Sequence, residues 1–175
     1  MTKPIAKIDP GKMQGITDTL LAARKNNLKE VLEIAHRLET VGVLDEVTFI
    51  NDSKSTNTNA TFYSLECMTK PVVWLVSSSD WVQDYHQLTE LVAQKVKAIV
   101  CIETEGEIPA FDFRSFGKEC RKVSNLEKAL VQANKWAQAG DVVLFSPAHP
   151  SELCYDSYKE RGEHFRSLVN NLLTN

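Results

Sequence analysis

Three polar stretches of this sequence follow apolar runs that are predicted to be strands, and each contains residue types that could bind an anion. They are residues 51–57 (NDSKSTN), 77–81 (SSSDW) and 146–151 (SPAHPS). Open α/β sheets bind their ligands at the carboxyl ends of the strands, so the three stretches would meet at one edge. A fourth polar pair, His36 and Arg37, stands at the entry to a predicted β-hairpin.

Residues 51–57 offer the most chemistry. A turn rich in Ser, Thr, Asn and Lys ahead of a helix can present backbone N–H groups and the positive end of the helix dipole to a phosphate. Lys54 would add a point charge, and Asp52 could hold a magnesium ion. The alternative from the same residues is structural: Asn57 or Thr56 caps the helix and Lys54 is solvated.

The two later stretches have equally plain alternatives. Residues 77–79 could form only a turn, with Trp81 packing beside it. His149 lies directly before a proline and two residues after another. It could act as a ligand or a base, or it could have no chemical role.

The apolar runs that would position these stretches are residues 47–50, 72–76, 98–102 and 142–145. The last three are continuously apolar, which is typical of parallel strands buried on both faces. Residues 38–43 and 47–51 flank Leu44-Asp45-Glu46, which we interpret as the tight turn of a hairpin. Ahead of the hairpin, residues 17–35 have a helical pattern.

Helices are predicted between the strands. Ser124 with Glu127, and Ser157 with Glu160, have the spacing of capping boxes. A helix over residues 58–68 carries the face Ala60, Tyr63 and Cys67. The alternation predicts an α/β fold: a Rossmann-like three-layer sandwich with a mostly parallel sheet, preceded by a helical segment and a β-hairpin.

Composition excludes several classes of protein. The 175 residues include 20 Lys and Arg against 23 Asp and Glu, a net charge of −3 that argues against a nucleic-acid binder. The apolar runs are too short to span a bilayer, so no membrane partner is expected. The four cysteines are too far apart in sequence for a zinc site, and we expect free, mostly buried thiols in a cytoplasmic protein without a metal.

Four segments together resemble the Mur ligases, the ATP-dependent amide-forming ligases of peptidoglycan synthesis. They are residues 36–39 (HRLE), 50–57 (INDSKSTN), 140–148 (GDVVLFSPA) and 158–165 (YKERGEHF). The likeness extends over residues 36–173 and implies the C-terminal domain of that family, which closes over ATP and presents the incoming amino acid. Residues 36–175 would form this domain, and residues 1–35 would be a helical segment resembling the tail of the central domain.

The resemblance also implies roles for individual residues. The nucleotide side would comprise His36, Arg37, Asp52, Lys54, Thr56 and Asn57, and the amino-acid side Ser146, Ser151 and Tyr158. ATP and magnesium are implied by the family, although neither is expected to bind tightly to this chain alone. The implied partners are the other domains of a Mur ligase, or another cell-wall enzyme.

The chain departs from the family pattern at catalytic and amino-acid-binding positions. No G-x-x-x-x-G-K-[ST] phosphate loop occurs in the sequence. Ser77 and Ser78 replace two glycines, and Trp81 replaces the lysine with which D-glutamate-adding members bind the substrate carboxylate. Because tryptophan cannot supply that cation, we expect an altered D-glutamate pocket in a domain that is not catalytic by itself. The alternative is the working C-terminal part of a complete or split ligase.

Overall fold

The structure, a computed structural model, describes residues 35–78, 82–103, 109–151 and 154–174. The helical segment predicted ahead of the hairpin lies almost wholly outside the described residues, as does Trp81. The described ranges contain the whole of one mixed sheet and the helices that cover it.

The sheet has six strands: β1 Glu39–Leu44, β2 Val47–Asn51, β3 Val72–Ser78, β4 Val96–Glu103, β5 Glu119–Val123 and β6 Val142–Phe145. Their order across the sheet is β1-β2-β6-β3-β4-β5. Only β1 and β2 pair antiparallel, and every other neighbouring pair is parallel. The predicted mostly parallel sheet with an initial hairpin is therefore confirmed.

Among the described residues, four α-helices cover the sheet: α1 Thr58–Glu66, α2 Thr89–Lys95, α3 Leu126–Trp136 and α4 Tyr158–Thr174. Two short 3-10 helices, His86–Leu88 and Phe113–Phe116, accompany them. Trp74 of β3 packs in one core with residues of α1 and α2, whereas its neighbour Leu75 packs in a second core with residues of α3 and α4. Successive strand residues point to opposite faces, so the two cores lie on opposite sides of the sheet. This arrangement confirms the three-layer sandwich.

The central strands are hydrophobic on both faces because both faces are covered. All five residues from 72 to 76 are 0% exposed, and β6 is buried along its whole length. Each fully buried aliphatic side chain of this size contributes about 1.5–3 kcal/mol relative to exposure. The carboxyl ends of β3 and β6 thus extend from strands that are buried on both faces.

The hairpin turn consists of Asp45 and Glu46, one residue shorter than the three-residue turn inferred from sequence. Leu44 already pairs with Val47, and the two turn residues have φ values of 49° and 63°. Two successive left-handed residues form the type I′ turn, whose twist matches that of the flanking strands.

Two local predictions were wrong. The cap of α3 is Asn125, whose Oδ1 accepts the Lys128 N–H at 2.9 Å, so Ser124 and Glu127 do not form a capping box. The predicted face of α1 is also wrong, since Tyr63 is 65% exposed and the buried residues are Thr58, Thr61, Ser64 and Leu65. Three of those four carry hydroxyls, which a search for apolar periodicity does not detect.

Other features differ from the sequence prediction for similar reasons. β5 was not predicted, because its sequence ECRKV is charged and mostly exposed, as suits an edge strand. The second capping box is supported: Ser157 Oγ accepts the Glu160 N–H at 3.2 Å. Mostly buried thiols were expected, but two of the four cysteines, Cys67 and Cys154, are exposed.

Candidate functional site

The sequence-predicted site residues cluster at the carboxyl ends of β2, β3 and β6. Two loops carry most of them: the post-β2 loop, residues 52–57, and the post-β6 loop, residues 146–151. The sheet order reverses direction between β3 and β6, because β3 leads on to β4 and β5 while β6 returns to the other side of β3. A crevice at such a switch point is where open α/β sheets bind ligands.

The post-β2 loop is tied to its neighbours through its backbone. The Asp52 N–H donates to Phe145 O at 2.8 Å and the Lys54 N–H to His36 O at 3.0 Å, while the Ser55 N–H closes a turn on Asp52 O. At its end, Asn57 caps α1, its side chain accepting the Ala60 N–H at 2.9 Å. This confirms the structural alternative for Asn57.

Most N–H groups of this loop already donate to protein acceptors. The Ser53 N–H donates to Asn51 Oδ1, and the first N–H of α1, from Thr58, donates to Gln83 Oε1 at 2.9 Å. The backbone N–H groups of residues 52–55 therefore cannot form the phosphate cradle expected from the sequence. An anion at this loop would depend largely on side-chain cations.

Asp52 faces the interior and is 0% exposed. Its Oδ2 accepts hydrogen bonds from Ser55 Oγ at 2.5 Å and from Ser146 Oγ at 2.7 Å, and its Oδ1 accepts the Leu38 N–H at 3.3 Å. Burial raises the pKa of Asp52, although the serine hydroxyls oppose that rise. A carboxylate so enclosed does not fit the role of a magnesium ligand.

Ser146 shares this interior position. It was predicted on the amino-acid side, but it is 0% exposed, and its hydroxyl lies 2.9 Å from Thr61 Oγ1 as well as bonding Asp52. Its carbonyl accepts the Trp74 indole N–H at 2.8 Å. The structure thus uses Ser146 to join β6, α1 and the post-β2 loop.

His36 and Arg37 reach the same edge through an unusual backbone. His36 has a φ of 65° and Leu38 a φ of 46°, a left-handed conformation that ordinarily costs a non-glycine residue free energy. The bend places the His36 carbonyl on the Lys54 N–H, and Arg37 between the two bent residues is half-buried. The predicted proximity of His36 to Lys54 is present in the structure.

Lys54 and Tyr158 lie together. The Lys54 ammonium is 5.7 Å from the centroid of the Tyr158 ring, within the range of a cation–π contact. The same ring stands edge-on to His36, with centroids 6.5 Å apart. Tyr158 was predicted on the amino-acid side, yet the structure groups it with Lys54 and His36. Thr56 is half-buried in the same loop.

A cavity of about 190 Å³ opens on the other side of the switch point. Its lining includes Ser77 and Ser78 at the end of β3 and His149 and Ser151 in the post-β6 loop. Of the predicted amino-acid-side residues, Ser151 alone lines this cavity. The cavity lining thus includes Ser77 and Ser78, two of the positions at which the chain departs from the family pattern, and none of the nucleotide-side residues.

Arg161 is the functional-site residue that sequence reasoning missed. It is 3% exposed, and it donates from Nε to Ser53 Oγ, from Nη2 to Ser53 O, and from Nη1 to the carbonyls of His149 and Pro150, all at 2.8–3.1 Å. Arg161 thereby joins the post-β2 and post-β6 loops. Its spacing of four from Phe165, and of eight from Val169, on the buried face of α4 is the signal that could have found it.

Two other kinds of feature are absent from the described residues. Among them, no three His, Cys, Asp or Glu residues lie close enough to hold a metal ion. Among the same residues, no helix has the length and apolar character needed to cross a bilayer.

Comparison with known proteins identifies relatives of this chain. A family model described as "Mur ligase, glutamate ligase domain" matches residues 36–149. The UDP-N-acetylmuramoylalanine--D-glutamate ligase of Salinibacter ruber is 41% identical over 140 residues, which are 80% of this chain and 30% of that protein. The protein of the same name from Christiangramia forsetii is 37% identical over 157 residues, 87% of this chain and 35% of that one. The chain thus spans about a third of the length of these relatives.

Solved structures share the fold. A bifunctional folylpolyglutamate synthase/dihydrofolate synthase from Yersinia pestis superposes with a TM-score of 0.55 at 19% identity, covering 78% of this chain and 32% of that one. The MurF ligase of Thermotoga maritima, in complex with ADP, gives 0.51 at 14% identity, covering 95% of this chain and 40% of that one. A second structure of the Yersinia enzyme holds AMPPNP and a manganese ion.

Proposed function

The chain belongs to the Mur ligase family, where it resembles the C-terminal domain of the D-glutamate-adding ligases, and we propose that it keeps the nucleotide-facing edge of that domain without being catalytic by itself. In this proposal Lys54 and Arg37 contact the phosphates of a nucleotide such as ATP, which another domain or chain holds. The amino-acid side no longer suits D-glutamate. The natural partners are then the other domains of a Mur ligase or another cell-wall enzyme.

The observation that carries this proposal is the split orientation of the post-β2 loop. Its carboxylate, Asp52, points inward and is enclosed by hydroxyls, whereas Lys54 beside it reaches the Tyr158 ring at the sheet edge. Within the described residues, neither Lys54 nor Arg37 forms an ion pair. Two cations without a protein carboxylate at one edge favour an external anion.

The buried Asp52 bears on magnesium as well. Because its oxygens already accept three hydrogen bonds, it offers no open position to a metal ion. We therefore assign Asp52 to the support of the loop, and no magnesium ligand to the residues that the structure describes.

The proposal that the amino-acid side is altered rests on the sequence and on the residues that line the cavity. Ser78 is buried and Ser77 half-buried where the family has glycines, and their side chains line the cavity. Trp81, three residues on, cannot pair with a carboxylate. D-Glutamate should consequently bind this chain only in the high-millimolar range.

A phosphate titration followed by backbone amide shifts tests the nucleotide edge. Phosphate in the tens of millimolar should shift amides of residues 52–57, and Lys54→Gln should abolish most of that shift. Lys70→Gln, an exposed lysine at the opposite end of β3, is the matched control and should leave it intact. No response of residues 52–57 in the wild-type chain would overturn the proposed edge.

An activity assay separates the proposal from its alternative. The chain incubated with UDP-N-acetylmuramoylalanine, D-glutamate and ATP should release no ADP above background. ADP release that depends on both substrates would show a working ligase instead. Calorimetry with D-glutamate gives the second readout, and a micromolar affinity would contradict the altered pocket.

We also propose a domain boundary near residue 35. The family match begins at residue 36, immediately after the segment interpreted as the tail of a central domain. Limited proteolysis should yield a stable fragment that begins close to residue 36. Cleavage first within residues 40–170 would contradict that boundary.

A further inference from the structure

His36 is enclosed by polar groups from three elements of the fold. It is 4% exposed, and its Nδ1 lies 3.0 Å from Asn51 Nδ2 on β2 and 3.7 Å from Glu39 Oε2 on β1. Its Nε2 lies 3.4 Å from Glu163 Oε1 on α4. The imidazole is thus the common neighbour of the sheet edge and of α4.

The hydrogen bonds of Asn51 settle which ring nitrogen carries the proton. Asn51 Oδ1 accepts the Ser53 N–H at 3.3 Å, and Asn51 Nδ2 donates to Gly162 O at 3.1 Å, which fixes the orientation of the amide. The other hydrogen of Nδ2 can reach both His36 Nδ1 at 3.0 Å and Glu39 Oε2 at 3.3 Å. Because an amide nitrogen only donates, a contact of 3.0 Å with His36 requires Nδ1 to be the acceptor. The neutral ring then has its proton on Nε2, facing Glu163.

A second proton on His36 conflicts with this arrangement. It would go to Nδ1 and place an N–H against the N–H of Asn51, so the bond between them would be lost. The ring already lies against the backbone of Gly162 on α4, so close that a Cβ added to that glycine would be 2.3 Å from Nδ1. Movement of the ring towards α4 therefore does not relieve the conflict. The conflict between the two N–H groups is relieved only when His36 or Asn51 moves, and both residues are hydrogen-bonded to the post-β2 loop.

We propose that His36 is a proton-operated latch on the post-β2 loop. In the neutral state the ring accepts a hydrogen bond from the Asn51 amide, and Asn51 Oδ1 accepts one from the Ser53 N–H. The His36 carbonyl accepts a third from the Lys54 N–H. Protonation of the ring breaks the first of these bonds and loosens the other two. The loop that carries Lys54 is then ordered above the titration of His36 and released below it.

The charged groups that face His36 influence the pH at which its ring titrates. Burial lowers the pKa of His36 below its usual value, and Arg166 and Lys159 of α4 act in the same direction. Glu39 of β1 and Glu163 of α4 oppose them. The Tyr158 ring also faces His36, edge-on with the ring centroids 6.5 Å apart. The latch therefore opens only at a pH lower than that at which an ordinary histidine titrates.

The consequence for ligands rests on the proposed function, but the latch itself does not. If Lys54 binds an anion only while its loop is ordered, anion affinity falls with the ordered fraction. It would be about twofold weaker at the His36 midpoint and about tenfold weaker one pH unit below it. An effect of imidazolium charge alone would instead strengthen anion binding.

A pH titration of the isotope-labelled chain, without ligand, tests the latch. At pH 7.5 the His36 ring should show its proton on Nε2, and the Ser53 and Lys54 amides should shift with the same midpoint as the ring. The amides of β5, at the opposite edge of the sheet, supply the internal control, because they should not follow the His36 titration. Ser53 and Lys54 amides that ignore the His36 titration would overturn the latch.

Substitutions at two exposed positions on α4 should shift the pH midpoint of the His36 titration in opposite directions. Glu163→Gln should lower the midpoint of His36 and of both amides by about 0.3 pH unit, and Lys159→Gln should raise it by a similar amount. Glu90→Gln on α2 is the matched exposed control. Amide midpoints that stay fixed while the ring midpoint moves would also refute the coupling.

Sulfate, whose charge stays constant between pH 5 and 8, separates the latch from the proposed function. Binding at pH 7.5 that weakens through the His36 midpoint supports both. No sulfate response at any pH, with coupled amides, supports the latch and contradicts the anion edge. Binding that tightens on acidification contradicts the latch.

Discussion

The post-β2 and post-β6 loops extend neighbouring strands and share one buried arginine, yet they present different surfaces. The post-β2 loop turns Asp52, Ser53 and Ser55 inward and leaves Lys54 at the edge. The post-β6 loop is almost wholly buried, but His149 and Ser151 line a cavity. The post-β2 loop therefore presents the Lys54 charge on a buried support, whereas the post-β6 loop forms part of the wall of a cavity. A polar motif in sequence does not distinguish residues that support a loop from residues that meet a ligand.

The largest expected effect comes from removing the arginine that joins the two loops. Arg161→Leu leaves the carbonyls of Ser53, His149 and Pro150 without these buried donors, and it should lower the free energy of unfolding by about 3 kcal/mol. Chemical denaturation measures the loss. Arg114→Gln, which removes an exposed ion pair with Asp112, should leave the free energy of unfolding nearly unchanged, because solvent screens that pair. Equal losses in the two variants would contradict the joining role.

A smaller effect is expected where α4 approaches the post-β2 side. Gly162→Ala places a methyl group against the His36 ring and should destabilise the fold by about 1–2 kcal/mol, despite the better helix propensity of alanine. Thermal unfolding reports the change. At Gly42 the added Cβ meets only the flexible end of Leu173, so Gly42→Ala should cost less. The reverse ranking would mean that the His36 ring can move freely.

The helix caps provide a comparison with one member on each side of the crevice. Asn57→Ala and Asn125→Ala each remove a side chain that accepts a helix N–H, and each should cost about 1 kcal/mol. Ser124→Ala should be close to neutral, because Ser124 does not cap α3. Urea unfolding of the three variants measures this. A larger loss for Ser124→Ala than for Asn125→Ala would restore the capping box inferred from sequence.

The last effect depends on pH. Burial raises the pKa of Asp52 above the ordinary 3.8, so the folded state holds this proton more tightly than the unfolded chain does. Its contribution to stability is then greatest below pH 3.8 and declines as the pH rises through the folded pKa. The stability of Asp52→Asn relative to wild type should therefore improve from pH 3.5 to 7. A difference that does not change with pH would show that the carboxyl is not desolvated.

Much of the sheet could be predicted from the sequence, because buried strands have recognisable apolar patterns. Residues 72–76 and 142–145 are continuous apolar runs, and both became strands buried on both faces. β5 escaped detection because an edge strand needs few apolar residues. The family resemblance located the post-β2 loop, but the inward orientation of Asp52 depends on hydroxyls 3 to 94 residues away in sequence. Such long-range polar contacts have no local pattern.

The position of β6 also has a consequence for how the chain folds. β2 and β3 are consecutive strands but do not pair, since β6 lies between them and bonds to both. The β1–β2 hairpin and the β3–β4–β5 group can each form early, whereas the continuous sheet must wait for residues 142–145. Contacts of such high sequence separation slow folding. During synthesis, the exposed margins of β2 and β3 are thus available for incorrect pairing until the last strand leaves the ribosome.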